Sequence, residues 1–177
     1  MKILAVCGSP RKGNTEFMLG IILNEIKNHE KEMILLREKI IKHCTGCLSC
    51  NITHKCVVDD SMQEIYPKIR EANLIVIATP NYFDNVSGLL KDFIDRTNPF
   101  YETDELKGKK LFALVVGGGK KKNSKRVIKQ ALTYFSKAHD YEFVDSLCVE
   151  ALNPDDVKNN EIIVNKLKKL GQKINNM

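Results

Sequence analysis

The chain has 177 residues, of which 43% are hydrophobic, and a formal net charge of +6 from 28 basic and 22 acidic side chains. Such a length and apolar content build one ordinary core without disulfide or metal staples. No apolar run is long enough for a membrane span and no secretory leader opens the chain, so a single cytoplasmic domain over residues 1–177 is expected, with no membrane partner and, at this modest excess of cations, no nucleic-acid partner.

Ile3 to Cys7 is a short apolar run that suits a strand buried on both faces. Gly8-Ser9-Pro10 breaks the run, Gly13 frees the loop, and Asn14 stands where it would cap a helix from Thr15 to Lys27. Phe17, Leu19, Ile22, Leu23 and Ile26 recur there at helical spacing. A strand, a small-residue loop and a helix start together present free backbone N–H groups and a positive helix end, which is an anion cradle. Ser9, Asn14 and Thr15 add side-chain donors, and Arg11 and Lys12 add charge. The stretch is not the dinucleotide fingerprint, because no glycine stands two residues after Gly8. It departs from the triphosphate loop G-x-x-x-x-G-K-[ST], because Asn14 replaces the lysine that neutralises the β/γ-phosphates. A hydroxyl-rich loop of this kind suits a single phosphate monoester; the other reading is an ordinary strand–helix turn rich in capping residues.

Glu32 to Arg37 reads as a second strand, and a loop from about Lys42 to Asp60 follows it. Ser61 with Glu64 forms a capping box for a helix through Ile65, Ile69 and Ala72. Leu74 to Ala78 is nearly pure apolar and suits the central strand. It runs into the loop Thr79–Asn85 and then a helix that places Leu89, Leu90, Phe93 and Ile94 on one face. Leu111 to Val116 is a fourth strand ended by Gly117-Gly118-Gly119, and a lysine-rich helix with Val127, Ile128, Ala131, Leu132 and Phe135 follows. Tyr141 to Glu150 is a fifth strand, and Asn153-Pro154-Asp155 starts a last helix through Ile162, Ile163, Leu167 and Leu170. Strands alternating with helices predict a doubly wound parallel α/β sheet with helices on both faces. Ligands of such sheets bind beyond the carboxyl ends of the strands, where the loops Gly8–Thr15, Pro80–Asn85 and Gly117–Gly119 converge. Tyr82 and Phe83 there either cover a flat heterocycle or pack as a satellite of the core.

Gly8 to Thr15 resembles the FMN-phosphate loop of flavodoxin-like NAD(P)H-dependent FMN reductases. Pro80 to Arg96 resembles the flavin-ring loop and following helix of the same family, whose pattern is close to P-x-Y-x-x-x-x-S-G-x-L-K-x-F-I-D-R. Pro80, Tyr82, Ser87, Gly88, Leu90, Lys91, Phe93, Ile94, Asp95 and Arg96 all fit; Asn81 replaces a small apolar residue. The resemblance implies a flavodoxin-like five-stranded parallel sheet of order 2-1-3-4-5. It implies FMN bound by Ser9, Arg11, Lys12, Gly13, Asn14, Thr15, Pro80, Asn81, Tyr82, Phe83, Asp84, Gly117 and Gly118. It also implies a homodimer or homotetramer. Asp95 and Arg96 read as structural, capping or pairing at a helix end.

The loop at about 42–60 holds Cys44-x-x-Cys47-x-x-Cys50-x5-Cys56. Thiolates at two-residue intervals can wrap one cluster, as at the start of bacterial ferredoxin sites, although the fourth cysteine here is displaced and no proline follows it. The motif resembles that of the iron–sulfur flavoproteins, which implies a 4Fe–4S cluster on Cys44, Cys47, Cys50 and Cys56. Zinc, or free and reversibly oxidised thiols, are the alternatives. Lys120-Lys121-Lys122, Lys125 and Arg126 form either a solvated basic face or a contact for an acidic electron-transfer protein or the 2′-phosphate of NADPH.

The expected function is an FMN-dependent oxidoreductase that couples the flavin to the cluster. Ferredoxin or NAD(P)H would be the electron donor, and a small molecule or a protein the acceptor. The flavin carries the chemistry, so no side-chain acid or base is named. The alternatives are an NAD(P)H-dependent FMN or quinone reductase without a cluster, and an FMN-binding redox sensor.

Overall fold

Runs of Ile, Leu, Val and Ala with no charge inside them can be buried on both faces, and they form the middle of the sheet. The structure, a computed structural model, describes residues 1–177. The strands are β1 (Lys2–Cys7), β2 (Glu30–Leu35), β3 (Leu74–Pro80), β4 (Lys110–Gly117) and β5 (Glu142–Glu150). All pair in parallel, in the order β2-β1-β3-β4-β5. This is the flavodoxin-like doubly wound order, with its switch point between β1 and β3. Ile3 to Cys7 of β1 lie opposite Leu74 to Ala78 of β3, residue for residue, and both runs are buried throughout. The edge strands are only partly buried. In β5 the register slips between Phe143 and Asp145, opposite Leu111 and Phe112, so Val144 is an extra residue that bulges the edge.

Helices α1 (Asn14–Glu25) and α7 (Glu161–Asn175) cover one face, with Met18, Leu19, Ile22, Leu167 and Ile174 buried against it. A Cβ on Gly171 would stand 2.6 Å from the carbonyl oxygen of Ile22, so α7 lies on α1 at glycine distance. The other face carries α3 (Met62–Glu71), α4 (Gly88–Asp95), α5 (Lys121–Val127) and α6 (Thr133–Ala138), with Ile65, Phe93, Leu132 and Phe135 in its core. A short α2 (Ser49–Thr53) lies inside the cysteine loop. A π turn over Ile128–Leu132 joins α5 to α6, so the lysine-rich segment is not one regular helix. No helix is long and apolar enough to cross a membrane.

Three capping expectations are corrected. Asn14 is not the cap of α1: Gly13 holds that position, and the Asn14 amide reaches across instead, donating to the Asn153 carbonyl at 2.7 Å and accepting from the Val157 N–H at 3.2 Å. The box of Ser61 and Glu64 does not form, because Ser61 is already helical (φ −58°, ψ −15°) and its hydroxyl accepts from the Ile40 N–H at 3.1 Å. Asp60 takes over, accepting from the Met62 N–H at 2.9 Å. The last helix starts at Glu161 rather than near Pro154, capped by Asn160 accepting from Ile163. Asn153 is spent in a turn, where its N–H and that of Leu152 donate to the Asp156 carboxylate.

Candidate functional site

β1, β3 and β4 end side by side, and the loops leaving them enclose a cleft of about 220 Å³. Ser9, Arg11, Gly13, Asn14, Thr15, Pro80, Asn81, Tyr82, Gly117 and Gly118 all line it. A fourth wall, Ala151 and Leu152, comes from the turn after β5; nothing in its composition marked it beforehand. A cleft of about 480 Å³ beside Phe17 and Met33 adjoins this one, sharing Gly13, and one of about 450 Å³ beside Ile94, Tyr134 and His139 reaches only Asn85 of these loops.

At the α1 end the chemistry is that of an uncapped helix. No side chain caps α1, so the first-turn N–H groups of Asn14, Thr15 and Glu16 lack intrahelical acceptors. Arg11 lines the same space, so positive charge and free donors coincide there. Three side chains act differently from expectation. The Ser9 hydroxyl donates to the Arg11 carbonyl at 2.7 Å and so shapes the loop from within. The Asn14 amide is spent on the 153–157 turn, which leaves its backbone N–H as the available donor. Lys12 lies in the neighbouring cleft beside Glu16, Phe17 and Lys158, not in this one.

The loops after β1 and β3 are tied together at the start of α4. The buried Ser87 hydroxyl donates to the Gly8 carbonyl at 2.5 Å and accepts from the Leu90 N–H at 3.2 Å, which caps α4. The Ser87 N–H donates to the Thr79 hydroxyl at 3.1 Å. Gly8 has no room for a side chain: a Cβ would stand 2.8 Å from that of Leu90. Gly117 is equally confined, 2.9 Å from the Cβ of Asn81. Asn81 donates its N–H to the Val116 carbonyl at 2.7 Å, while its buried side-chain oxygen has no partner. An acceptor is therefore left unspent at the wall of the cleft.

Tyr82 and Asn85 exchange both backbone hydrogen bonds at 3.0 Å around Phe83 and Asp84, whose φ values are +52° and +57°. That is the geometry of a type I′ turn, normally left to Asn and Gly. Phe83 is fully exposed at its tip, and Asp84 is held by Arg126 at 2.9 Å. Neither Phe83 nor Asp84 lines the cleft; they stand at its rim.

The cysteine loop is a separate feature. Its feet are joined: Ser61 N–H to the Ile40 carbonyl at 3.0 Å and Lys42 N–H to the Asp60 carboxylate at 2.8 Å. Left-handed Gly46 and Leu48 turn the chain into α2. Cys44, Cys47, Cys50 and Cys56 all line one pocket of about 40 Å³, together with Arg96 and Asn98. Cys44 and Cys47 are exposed, Cys50 and Cys56 partly buried. The Asn98 amide donates to the Cys50 sulfur at 3.0 Å. The backbone N–H and hydroxyl of Ser49 lower the Cys47 thiol's pKa below its ordinary value. No three His, Cys, Asp or Glu side chains gather closely enough to grip one metal ion. The donor set is four soft thiols, and a cubane offers each thiolate its own iron, so its ligands surround a space rather than meet at a point. Cys7 is fully buried, as expected, and Cys148 partly so.

Residues 1–149 match the family model described as NADPH-dependent FMN reductase. An iron-sulfur flavoprotein of Archaeoglobus fulgidus is 41% identical over 121 residues, 67% of this chain, and the match spans 60% of that relative's length. An iron-sulfur flavoprotein of Methanocaldococcus jannaschii is 31% identical, with 98% of this chain and 95% of the relative covered. Among solved structures, an NAD(P)H:quinone oxidoreductase from Methanothermobacter marburgensis superposes with a TM-score of 0.77 at 14% identity, over 98% of this chain and 94% of that one. At that identity the likeness is one of fold.

Proposed function

Since the chain belongs to the NADPH-dependent FMN reductase family and is thereby a flavin-dependent oxidoreductase, we propose that it holds FMN in the cleft at the ends of β1, β3 and β4 and passes electrons between that flavin and a 4Fe–4S cluster on Cys44, Cys47, Cys50 and Cys56. One observation carries the flavin half: the uncapped start of α1, Arg11, and the Gly117 cradle against Asn81 all border a single cleft. In this reading the backbone N–H groups of Asn14 and Thr15 and the Arg11 guanidinium hold the phosphate. Pro80 to Tyr82 and Gly117 to Gly118 bracket the ring, with the free Asn81 oxygen facing a ring N–H. Tyr82, with Phe83 at the rim, limits access of water.

The cluster half rests on four thiols around one pocket. Bound FMN supplies two-electron acceptance and one-electron release, and a cluster would exchange electrons singly. Asn98 donates toward the Cys50 sulfur, and the Ser49 N–H and hydroxyl stabilise thiolate over thiol at Cys47. A nicotinamide or a reduced ferredoxin serves as donor, and the working unit is a homo-oligomer.

Anaerobic purification tests both halves, with a visible spectrum and FMN, iron and sulfide measured on one sample. Flavin with about four iron per chain is expected, and Cys47→Ala should remove the iron while leaving the flavin. Flavin without iron, even after anaerobic reconstitution, would leave the cluster-free NAD(P)H-dependent FMN or quinone reductase. The exposure of Cys44 and Cys47 favours that second reading. Absence of flavin would overturn the assignment of the cleft.

A further inference from the structure

Between Glu105 and Asp140 the chain carries no acidic residue, yet Lys120, Lys121, Lys122, Lys125, Arg126 and Lys129 follow one another there. All six are exposed, from the residue before α5 through α5 to the π turn behind it. Only Arg126 is ion-paired, to Asp84. The other carboxylate at hand, Glu150, accepts from the Lys121 backbone N–H at 2.5 Å. The N-cap residue Lys120 makes no side-chain cap, and against this single carboxylate six cations crowd the positive end of α5, an unfavourable arrangement in the isolated protein. An incoming anionic surface would relieve that repulsion.

The position matters as much as the charge. α5 leaves β4 directly after Gly117 and Gly118, which line the cleft. Ser124 of α5 lies 3.4 Å from the Asn81 amide, and Arg126 reaches the Phe83–Asp84 turn. The lysine face therefore borders the mouth of the cleft, beside the exposed rings of Phe83 and Tyr82 and the exposed Leu152. None of the five main clefts is lined by any of these lysines. A cationic face that lines none of these clefts and has an apolar rim fits the surface of another protein better than it fits a phosphate group, which a concave site would enclose.

We propose that the lysine face of α5, together with the Phe83 turn, is the docking surface for an acidic electron-carrier protein, which it brings to the mouth of the flavin cleft. The inference rests on the flavin reading above and adds where and by what chemistry the carrier is recognised. Each encounter moves one electron from the reduced carrier into the protein. Two reduced carriers supply two electrons, solvent supplies two protons, and two oxidised carriers leave. The lysines touch neither flavin nor thiolate; they raise the rate of encounter and set its orientation.

The test uses the FMN-loaded protein and a reduced ferredoxin of net negative charge as probe. Flavin bleaching is followed by stopped flow from ~0.01 to ~0.3 M salt, where screening removes long-range attraction. The second-order rate constant should fall steeply with salt. Lys121→Glu, Lys122→Glu and Lys125→Glu together should lower it at least ~10-fold at low salt and flatten the salt dependence. Photoreduction by a small neutral deazaflavin should be unchanged, which separates docking from the flavin itself. Lack of bleaching by deazaflavin would fail the flavin reading. Normal deazaflavin reduction with a carrier rate insensitive to the three substitutions would overturn the docking surface. A raised KM for NADPH but not NADH in the variant would assign the lysines to the 2′-phosphate instead, and a lost affinity for duplex DNA with an unchanged carrier rate would assign them to nucleic acid. Either result would overturn the proposal.

Discussion

The guanidinium of Arg96 makes a two-pronged contact with the carboxylate of Asp60, Nη1 to Oδ2 at 2.5 Å and Nη2 to Oδ1 at 3.1 Å, with both side chains 1% exposed. Nη1 also donates to the Lys42 carbonyl at 2.8 Å. Arg96, at the end of α4, thus clamps both feet of the cysteine loop. Tyr66 reinforces it by donating its hydroxyl to the Arg96 carbonyl at 2.8 Å.

Removing one member leaves a buried charge without its partner. Arg96→Ala or Asp60→Ala should cost about 3–5 kcal/mol in urea unfolding, whereas Arg96→Met with Asp60→Leu together should cost less than either alone. Arg96→Lys should rescue little, because an ammonium cannot match the two-pronged contact. Where the single variants still fold, they should retain FMN and lose iron on anaerobic reconstitution. Equal loss of both would show that the clamp serves the whole fold and not the loop.

The same pair sets an acid limit. Burial pushes the Asp60 carboxyl upward, but Arg96 and the N–H groups of Lys42 and Met62 outweigh it and hold the pKa below the ordinary aspartate value. A depressed folded-state pKa stabilises the fold above the unfolded value of about 3.9, and that stability is lost as pH falls through the folded value. Unfolding free energy measured from about pH 6 down to about pH 2 should therefore drop steeply below about pH 4. Asp60→Asn should lose that part of the slope while being less stable at neutral pH. An unchanged slope would assign the acid limit to other carboxylates.

Only one partner of this clamp stood out in the sequence. Arg96 was legible as a structural residue at a helix end, but nothing local shows that it meets a carboxylate 36 positions away. The strands were legible because Leu74–Ala78 and Ile3–Cys7 are apolar on both faces, and their alternation with helices fixes the sheet type. Loop residues were legible as a group and less so one by one. Whether Asn14 caps its own helix or bonds to Asn153, or Lys12 faces one cleft or the next, depends on a turn from the far end of the chain. Ser61 failed as a cap for the same reason, since Ile40 claims its hydroxyl.

Two glycines of similar confinement separate fold from site. Gly8→Ala would place a methyl 2.8 Å from the Leu90 Cβ, and Gly171→Ala one 2.6 Å from the Ile22 carbonyl oxygen. Overpacking at each should cost about 1–3 kcal/mol. Ser87→Ala, which loses the α4 cap and the bond to Gly8, should cost about 1–2 kcal/mol. Gly8→Ala and Ser87→Ala should also weaken FMN binding in a fluorescence titration, whereas Gly171→Ala, on the far side of α1, should leave it unchanged. Equal affinities in all three variants would detach the β1 loop from the flavin.

The Phe83–Asp84 turn offers the sharpest trade between stability and function. Both residues are left-handed, and a phenyl side chain gains nothing there from burial because Phe83 is fully exposed. A left-handed conformation costs a residue with a Cβ roughly 1–2 kcal/mol, and glycine escapes it, although glycine also gains freedom in the unfolded chain. Phe83→Gly should therefore raise the stability of the flavin-free protein, by about 1 kcal/mol after that offset. If the exposed ring is kept for the flavin mouth, the same variant should bind FMN more weakly and pass electrons more slowly to or from a protein carrier. Thermal unfolding without FMN and an FMN titration read the two effects separately. Greater stability with unchanged affinity and carrier rate would leave the strained aromatic without a role at the site. Lower stability would mean that the turn is not strained in the free protein.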